Sequence, residues 1–199
     1  DTQDPQEILS NFPHGMDIAF YGNIPNGSGL SSSASFELLV GVIARKVYSL
    51  DIDTLGLVKV GKRVENDFIG VNSGIMDQFA VGMGKKDHAI FLDCATLEYE
   101  LVPVKLGDYR IVIMNTNKRR ELADSKYNER FAETRIALKE LQEHVAIESL
   151  GDLTIDQFDA LKHHLSSELF VKRARHAVSE NERTVLATRV LKEGDLAHF

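Results

Sequence analysis

Apolar residues recur at helical spacing in the first part of the chain and predict three helices. The first is predicted over 34–47, where the repeating positions are Leu38, Leu39, Val42 and Ile43. The second is predicted over 53–69, with a stripe that we expect to be buried, namely Leu57, Val60, Val64 and Phe68. The same spacing predicts a short third helix, marked by Ile75, Phe79 and Met83.

Other stretches alternate between apolar and polar residues, or consist of consecutive apolar residues, and predict strands. Residues 89–94 and 97–104 alternate on either side of Ala95-Thr96, which is typical of a β-hairpin. Residues 111–114 are four consecutive apolar residues and predict a buried strand. Residues 18–23 predict a further strand that leads into a glycine-containing loop.

The second half of the chain is predicted to be helical from about Ser125 to its end. Its apolar residues form three faces: Phe131, Leu138, Leu141 and Val145, then Phe158, Leu161 and Leu165, then Val171, Ala174, Val178 and Val185. Strands early in the chain and helices late in it predict an α+β protein. Gly107-Asp108 is the predicted internal boundary.

The composition excludes several classes of function. The 23 Lys and Arg residues against 30 Asp and Glu give a net charge of −7, which argues against a nucleic-acid surface. The longest apolar run, near 38–44, is far shorter than the ~20 residues of a membrane helix. Without a signal-peptide pattern at residue 1, we expect a soluble cytoplasmic protein. The single cysteine, Cys94, excludes an internal disulfide and is expected to be a buried small residue.

The segment 24–36, IPNGSGLSSSASF, has the ingredients of a phosphate-binding loop. Gly27 and Gly29 allow backbone conformations that other residues rarely adopt. Three hydroxyls follow where the first helix is predicted to begin, and could cap it: Ser31, Ser32 and Ser33. Unpaired N–H groups and the positive end of the helix dipole predict an anion site there. The alternative is a flexible turn whose serines only cap the helix.

The complete string is more specific than a glycine-rich turn. It lacks the lysine of a Walker A loop and does not follow GxGxxG. Residues 25–34, PNGSGLSSSA, instead resemble the second signature of the GHMP small-molecule kinases, commonly written P-x-x-x-G-L-[SG]-S-S-A. The resemblance implies that the loop binds ATP, and the residues concerned are Gly27, Ser28, Gly29, Leu30, Ser31, Ser32 and Ser33.

Further segments resemble the galactokinase branch of this family. Residues 65–79, ENDFIGVNSGIMDQF, resemble the galactokinase stretch that runs from an acidic metal ligand to a G-I-M-D-Q-F box. Residues 173–184, RARHAVSENERT, resemble a galactokinase helix, and residues 116–127 match the spacing T-N-x-x-x-x-L-x-x-S-x-Y. The resemblance covers nearly all 199 residues. It implies ATP-dependent phosphorylation of D-galactose to galactose 1-phosphate, the first committed step of galactose catabolism.

The resemblance also implies the GHMP-kinase fold. Residues 1–107 would belong to a nucleotide-binding N-terminal domain similar to domain 2 of ribosomal protein S5. Residues 108–199 would begin a helix-rich, ferredoxin-like C-terminal domain that is incomplete. Galactokinases carry a sugar-binding segment ahead of the equivalent of residue 1 and a glycine-rich signature beyond the equivalent of Phe199. We therefore expect an internal fragment, inactive alone, whose partners include those missing segments of the same polypeptide.

The resemblance assigns the chemistry to particular residues. Phosphoryl transfer needs a held triphosphate, a bridging metal and a group that orients or deprotonates the attacking hydroxyl. Mg²⁺ is implied at Ser33 and Glu65, a hydroxyl and a carboxylate that suit a hard cation. Asp77 is implied as the catalytic residue at the sugar C1 hydroxyl, with Gly74 and Tyr127 contacting galactose. Whether Asp77 removes the proton or mainly positions the hydroxyl is left open by the sequence.

Other interpretations of the same residues stay open. Glu65 could be a solvated carboxylate on a helix, Asp77 a helix-stabilising residue, and Tyr127 a packing residue. The substrate could be another sugar of GHMP kinases, such as N-acetylgalactosamine. The protein could instead be a non-catalytic sensor of sugar and nucleotide, although intact Glu65 and Asp77 argue against that. His163-His164 have no third ligand at metal spacing, so no zinc site is predicted.

Overall fold

The computed structural model describes residues 14–24, 29–115 and 126–199. These residues pack into two units that interleave along the sequence. The first unit consists of 14–24, 29–68, 74–83 and 114–115, and the second of 69–73, 84–113 and 126–199. The domain boundary predicted after residue 107 stays a prediction.

The first helix, α1, spans Ser32–Val47 and confirms the helix predicted over 34–47. Ala34 and Leu38, one turn apart, are its buried residues. Two basic residues, Arg45 and Lys46, lie in the last turn, where the helix dipole favours positive charge. The amphipathic pattern therefore places one face of α1 against the core of the first unit.

The second helix, α2, spans Thr54–Arg63 and continues directly into a π-helix over Val64–Ile69. The Asp53 carboxylate caps α2 by accepting a hydrogen bond from the Gly56 N–H at 2.6 Å. Together the two elements confirm the extent of the helix predicted over 53–69.

The buried stripe predicted for this second helix is wrong beyond Leu57. Leu57 is buried, but Val60 is 45% exposed and Phe68 is 89% exposed. The prediction assumed α-helical spacing throughout. From Val64 onward a π-helix bonds i to i+5 and fits more residues into each turn, so that spacing no longer keeps side chains on one face. Val60 lies before it in α2, whose buried residues are Leu57, Val58 and Gly61.

The third helix, α3, spans Met76–Met83 and confirms the short helix predicted from its apolar spacing. Gly82 lets α3 approach both earlier helices closely. A Cβ atom at Gly82 would lie 2.6 Å from Val58 Cγ2 in α2 and 2.9 Å from Leu38 Cδ1 in α1. Three helices thus pack around a shared core in the first unit.

The second unit contains the predicted hairpin, formed by β1, His88–Leu92, and β2, Tyr99–Pro103, which pair antiparallel. The Asp93 carboxylate holds the turn by accepting hydrogen bonds from the next backbone N–H groups. Cys94 lies in this turn and is exposed, so its predicted burial is wrong. The alternating pattern continued past Leu92, whereas the strand does not.

From residue 126 onward the second unit is mainly helical, as predicted. The α-helices are α4, Lys126–Gln142, α5, Ile155–Leu161, and α6, Glu168–Glu193. Their core contains most of the predicted faces, and its buried residues are Ala137, Leu138, Leu141, Leu150, Leu153, Phe158, Leu165, Ala174 and Val178. Phe131 and Val185 are half exposed, so they do not belong to that core.

Two predicted strands are absent from the residues that the structure describes. Residues 18–23 and 111–114 form no strand, and both are exposed, with Tyr21 99% and Met114 85% accessible. A strand is held by hydrogen bonds to a neighbour, and the sheet seen in the described chain consists of β1 and β2 alone. An apolar run without such a neighbour does not become a buried strand.

The described residues combine helices with a two-stranded antiparallel sheet, in agreement with the predicted α+β class. Within 14–24, 29–115 and 126–199, none of the helices has both the length and the apolar character that a bilayer crossing requires.

Candidate active site

The loop before α1 and the start of α3 are joined by a hydrogen bond between side chains. Ser31 Oγ donates to Asp77 Oδ1 at 2.9 Å. Asp77 lies in the first turn of α3, where the helix dipole favours a carboxylate. The structure therefore brings together the first serine of the predicted phosphate loop and the predicted catalytic residue.

Ser31 holds this contact from an unusual backbone conformation. Its φ of 54° and ψ of 38° lie in the left-handed region, which few residues other than glycine adopt. It occupies the N-cap position of α1, but its side chain makes no capping hydrogen bond. The expectation that the serines cap the helix is therefore wrong for Ser31, because its hydroxyl is engaged by Asp77 instead.

A groove runs beside the first turn of α1 within the first unit. Its volume is about 580 Å³, and its polar lining includes the hydroxyl-bearing residues Ser32, Ser33 and Ser35. Phe20 and Phe36, whose ring centroids are 4.6 Å apart, supply an apolar wall. The first backbone N–H groups of any α-helix have no partner within the helix. Hydroxyls, helical N–H groups and aromatic rings together suit a nucleotide.

The predicted ATP-binding residues are only partly described. Gly29, with φ of 76°, adopts the left-handed conformation expected of a glycine turn, and Leu30 follows it directly. Gly27 and Ser28 lie outside the described residues. The ATP-binding role of the loop therefore stays a prediction.

Glu65 is buried within the π-helix, with 5% of its surface exposed. The alternative of a solvated carboxylate is therefore wrong. The adjacent basic residue does not neutralise it, because Arg63 Nε lies 3.6 Å from Asp67 Oδ2 and both of those side chains are exposed. A buried carboxylate requires a hydrogen-bond partner, a proton or a cation.

A second acidic residue, Glu37, lies close to Glu65 and was missed by sequence reasoning. Burial raises the pKa of the Glu37 carboxyl to about 7. A hydrogen bond from Gln78 opposes the rise, whereas the charge of Glu65, a hydrogen bond with Glu65 and the charge of Asp77 raise the pKa further. Glu37 follows Ser33 by one helical turn, and that i,i+4 spacing was the signal that could have indicated it.

Gln78 is the other residue that sequence reasoning missed. It is 2% exposed, and its Nε2 donates a hydrogen bond to Glu37 Oε2 at 3.2 Å. Glutamine is mostly exposed in folded proteins, and the residue before it, Asp77, is exposed. The residue type of Gln78 therefore did not indicate burial. Its position in α3, one residue before buried Phe79, was the available indication.

The oxygen atoms of Glu65 and Ser33 are of the kind that a hard cation prefers. Glu65 is a buried carboxylate, and Ser33 offers a hydroxyl in the first turn of α1. Over the described residues, no group of three or more His, Cys, Asp or Glu side chains is arranged as a metal site. Mg²⁺ is usually held by one or two carboxylates, with waters and phosphate oxygens completing its shell. Glu65 and Ser33 fit that pattern.

Gly74 and Tyr127 belong to different units, and each is accessible. A Cβ atom at Gly74 would meet nothing within 4 Å, so the backbone there is open. Tyr127 lies in the first turn of α4 and is 51% exposed. The sugar-binding roles of both residues stay predictions.

The residue after Tyr127 anchors a loop of the second unit. Asn128 Oδ1 accepts a hydrogen bond from the Asn72 N–H at 2.9 Å, and its Nδ2 donates to the Gly70 carbonyl oxygen at 3.1 Å. Gly70 turns here with φ of 85°. This anchor joins segments far apart in the sequence, and no local pattern indicated it.

Three histidines stack in the second unit. The His144 and His164 ring centroids are 3.7 Å apart, and those of His163 and His164 are 3.9 Å apart. Desolvation lowers the pKa of His164, and the charges of His144 and His163 lower it further. No sequence pattern indicated that the His144 ring would contact His163 and His164, because His144 lies far from them along the chain.

Comparison with known proteins gives the following matches. Residues 5–85 match the family model described as GHMP kinases N terminal domain. A galactokinase of Streptococcus suis is 62% identical over 185 residues, which are 93% of this chain and 47% of that protein. A galactokinase of Enterococcus faecalis is 60% identical over 189 residues, 95% of this chain and 49% of that protein. The chain thus spans about half the length of the curated relatives it matches.

A solved structure gives the same result for the fold. The crystal structure of Lactococcus lactis galactokinase complexed with galactose matches with a TM-score of 0.86 and 54% sequence identity. The match covers 96% of this chain and 50% of that one. Sequence and fold therefore agree along nearly all of the chain.

Proposed function

This chain belongs to the GHMP kinase family, and from that premise we propose that it is part of an enzyme that phosphorylates D-galactose with ATP. The predicted GHMP-kinase fold is confirmed by the family match and by the TM-score of 0.86. Galactokinase relatives at about 60% identity support the reaction, and galactose in the complex of the Lactococcus lactis enzyme supports the substrate. The products would be galactose 1-phosphate, ADP and a proton. We expect the enzyme to work in the cytoplasm.

The observation that carries the proposal is the contact between Ser31 and Asp77. Ser31 Oγ donates to Asp77 Oδ1 at 2.9 Å, which restrains the rotation of the carboxylate. An ionised carboxylate has lone pairs for further donors, so Asp77 can still accept a hydrogen bond from the sugar C1 hydroxyl. Phosphoryl transfer through a loose transition state asks little of a base. In this proposal Asp77 orients the hydroxyl first, and it takes the hydroxyl proton as the new O–P bond forms and the bond from the γ-phosphorus to ADP breaks.

ATP would bind along the groove beside α1. Its phosphates would lie at the first turn, against the backbone N–H groups and the hydroxyls of Ser32 and Ser33. Gly29 and Leu30 would contact the nucleotide together with Gly27 and Ser28. Ser33 and Glu65 would hold Mg²⁺, which when bound neutralises the charge of the phosphates.

In the first unit, galactose would be contacted by Gly74 in addition to Asp77. Tyr127, in the second unit, would have the sugar-contacting role that the sequence resemblance implies. The open backbone at Gly74 permits close approach of a sugar. The exposed phenol of Tyr127 can both pack on a sugar ring and form a hydrogen bond.

Turnover of a sugar panel by the full-length protein tests this proposal. Galactose, N-acetylgalactosamine and glucose would be incubated with ATP, with and without Mg²⁺, and sugar 1-phosphates would be detected by ³¹P NMR. We expect Mg²⁺-dependent product from galactose, at a kcat/KM more than about tenfold above the other sugars. Preference for N-acetylgalactosamine would show that the substrate is another sugar used by this family. Calorimetric binding of galactose and ATP without any product would identify a sensor instead.

A further inference from the structure

A second link between side chains joins the two helices that carry Ser31 and Asp77. Gln78, directly after Asp77 in α3, donates from Nε2 to Glu37 Oε2 in α1 at 3.2 Å. Gln78 is 2% exposed and Glu37 is half-buried, so this bond is partly shielded from water. The Ser31 bond restrains the Asp77 carboxylate, while the Gln78 bond restrains the turn of backbone that carries it.

Helix α2 closes the space behind this second link. A Cβ atom at Gly61 would lie 3.0 Å from Gln78 Cγ and 3.2 Å from Glu37 Oε2. Such distances are tighter than ordinary van der Waals contact, so glycine at position 61 leaves the room that the two side chains occupy. The link therefore lies where three helices of the first unit meet.

Stability of the core alone does not explain why Glu37 and Gln78 occupy these positions. Among the described residues, Gln78 Oε1 is buried and has no hydrogen-bond partner. Unsatisfied buried polar atoms destabilise a fold, and apolar residues of similar shape often serve as well. A hydrogen bond does give direction, which apolar packing does not, and direction matters beside a reacting group.

We propose that Glu37 and Gln78 form a positioning pair that holds the first turn of α3 against α1 and so fixes Asp77 relative to the serine loop. The proposal rests on the proposed function, because Asp77 must be the residue that faces the reacting hydroxyl. The hydrogen bond, and not the charge of Glu37, performs the positioning.

Kinetics of matched variants in the full-length protein test the pair. Glu37→Leu and Gln78→Leu remove the bond and should lower kcat by about 10- to 100-fold, with KM for galactose and ATP changed less than about threefold. Glu37→Gln removes the charge but keeps an acceptor, and its new amide can donate to Gln78 Oε1. This variant should keep kcat within about threefold of wild type. The double Leu variant should lose no more than either single one, because both remove the same bond.

A destabilised core alone could also lower activity, so a control is needed. Leu57 in α2 is 5% exposed and packs against α1 at Gly41, one turn beyond Glu37. Leu57→Ala should lower the melting temperature while kcat stays near normal. If Glu37→Leu fails to fold, Gln78→Met serves in its place. Leu variants with reduced melting temperature and normal kcat would overturn the proposal, and so would a Glu37→Gln variant as impaired as Glu37→Leu.

Hydrogen exchange separates failure of the pair from failure of the proposed function. The Phe79 N–H donates to the Ile75 carbonyl oxygen at 2.9 Å in the first turn of α3. Its exchange, followed by NMR, should be about tenfold faster in both Leu variants and unchanged in Glu37→Gln. If the wild-type protein phosphorylates no sugar, the proposed function has failed while this measurement still decides the pair. Unchanged exchange in the Leu variants would overturn it.

Discussion

Ser31 Oγ and Asp77 Oδ1 lie 2.9 Å apart, across 46 positions of sequence, and Ser31 makes this bond from a left-handed backbone conformation. Conformations of this kind cost about 1–3 kcal/mol in residues other than glycine and concentrate at functional sites. The hydroxyl also leaves the N-cap of α1 without its usual side-chain bond. Ser31 therefore has neither the usual backbone conformation nor the usual N-cap hydrogen bond at the point where the loop contacts Asp77.

Substitution at Ser31 separates the hydrogen bond from the backbone strain. Ser31→Ala keeps the left-handed strain and loses the bond, whereas Ser31→Gly loses the bond and removes the strain. Both variants should lower kcat to a similar degree, since both free the Asp77 carboxylate. Ser31→Gly should be more stable than Ser31→Ala by about 1 kcal/mol. Chemical denaturation and steady-state kinetics on the two proteins measure these effects, and a Ser31→Ala variant with normal kcat would remove the bond from the mechanism.

Glu65 should affect the Mg²⁺ requirement more than the fold. Glu65→Gln is nearly isosteric and removes one of the charges that crowd Glu37, so its melting temperature should change little. Loss of a ligand carboxylate should raise the Mg²⁺ concentration for half-maximal turnover by about tenfold or more. The measurement is a Mg²⁺ titration of activity beside a melting curve.

Asp67 offers the matched control for Glu65, because it lies in the same π-helix but is exposed beside Arg63. Asp67→Asn should leave both the Mg²⁺ requirement and the melting temperature near those of wild type, as surface ion pairs contribute little. Equal Mg²⁺ titrations for Glu65→Gln and wild type would place the metal ligand elsewhere.

The histidine stack should make stability depend on pH. The pKa of His164 is lowered from its ordinary value of 6.5, so the folded protein binds this proton less readily than the unfolded chain. Stability that depends on neutral His164 is therefore present above pH 6.5 and is lost as pH falls through the folded-state pKa. Between about pH 8 and about pH 5, wild type should lose more melting temperature than His164→Gln.

NMR titration of the His164 ring checks the cause directly. His144→Gln removes a neighbouring imidazolium and should move the pKa of His164 back toward its ordinary value. A pKa of His164 that is the same in wild type and in His144→Gln would show that the stacked ring does not act through its charge.

Helices α1 and α3 and the hairpin could be predicted from the sequence because their signals are local. Apolar spacing over two or three turns identified the helices, and alternation around Ala95-Thr96 identified the hairpin. The serine loop and Asp77 were likewise predicted as parts of one site. Their direct contact was not, since nothing in either segment encodes a hydrogen bond across 46 positions.

The remaining differences have physical causes beyond local pattern. Glu65 is buried four residues after buried Gly61, whereas Phe68, later in the π-helix, is 89% exposed although α-helical spacing placed it in the stripe. Residues 111–114 have a strand's composition but no strand beside them in the part of the chain that the structure describes. Gln78 becomes buried and Glu37 half-buried because three helices meet around these polar side chains.

The turnover of Asp77→Asn, measured beside its melting temperature, tests the central claim most directly. The amide keeps the size of the side chain and can still accept from Ser31, but it cannot take a proton from the sugar hydroxyl. We expect kcat for galactose to fall by ~10²-fold or more while ATP still binds and the fold remains. If Asp77 only stabilises the start of α3, the variant would instead lose about 0.5–2 kcal/mol of stability and keep nearly normal turnover. That second result would contradict the role assigned to Asp77.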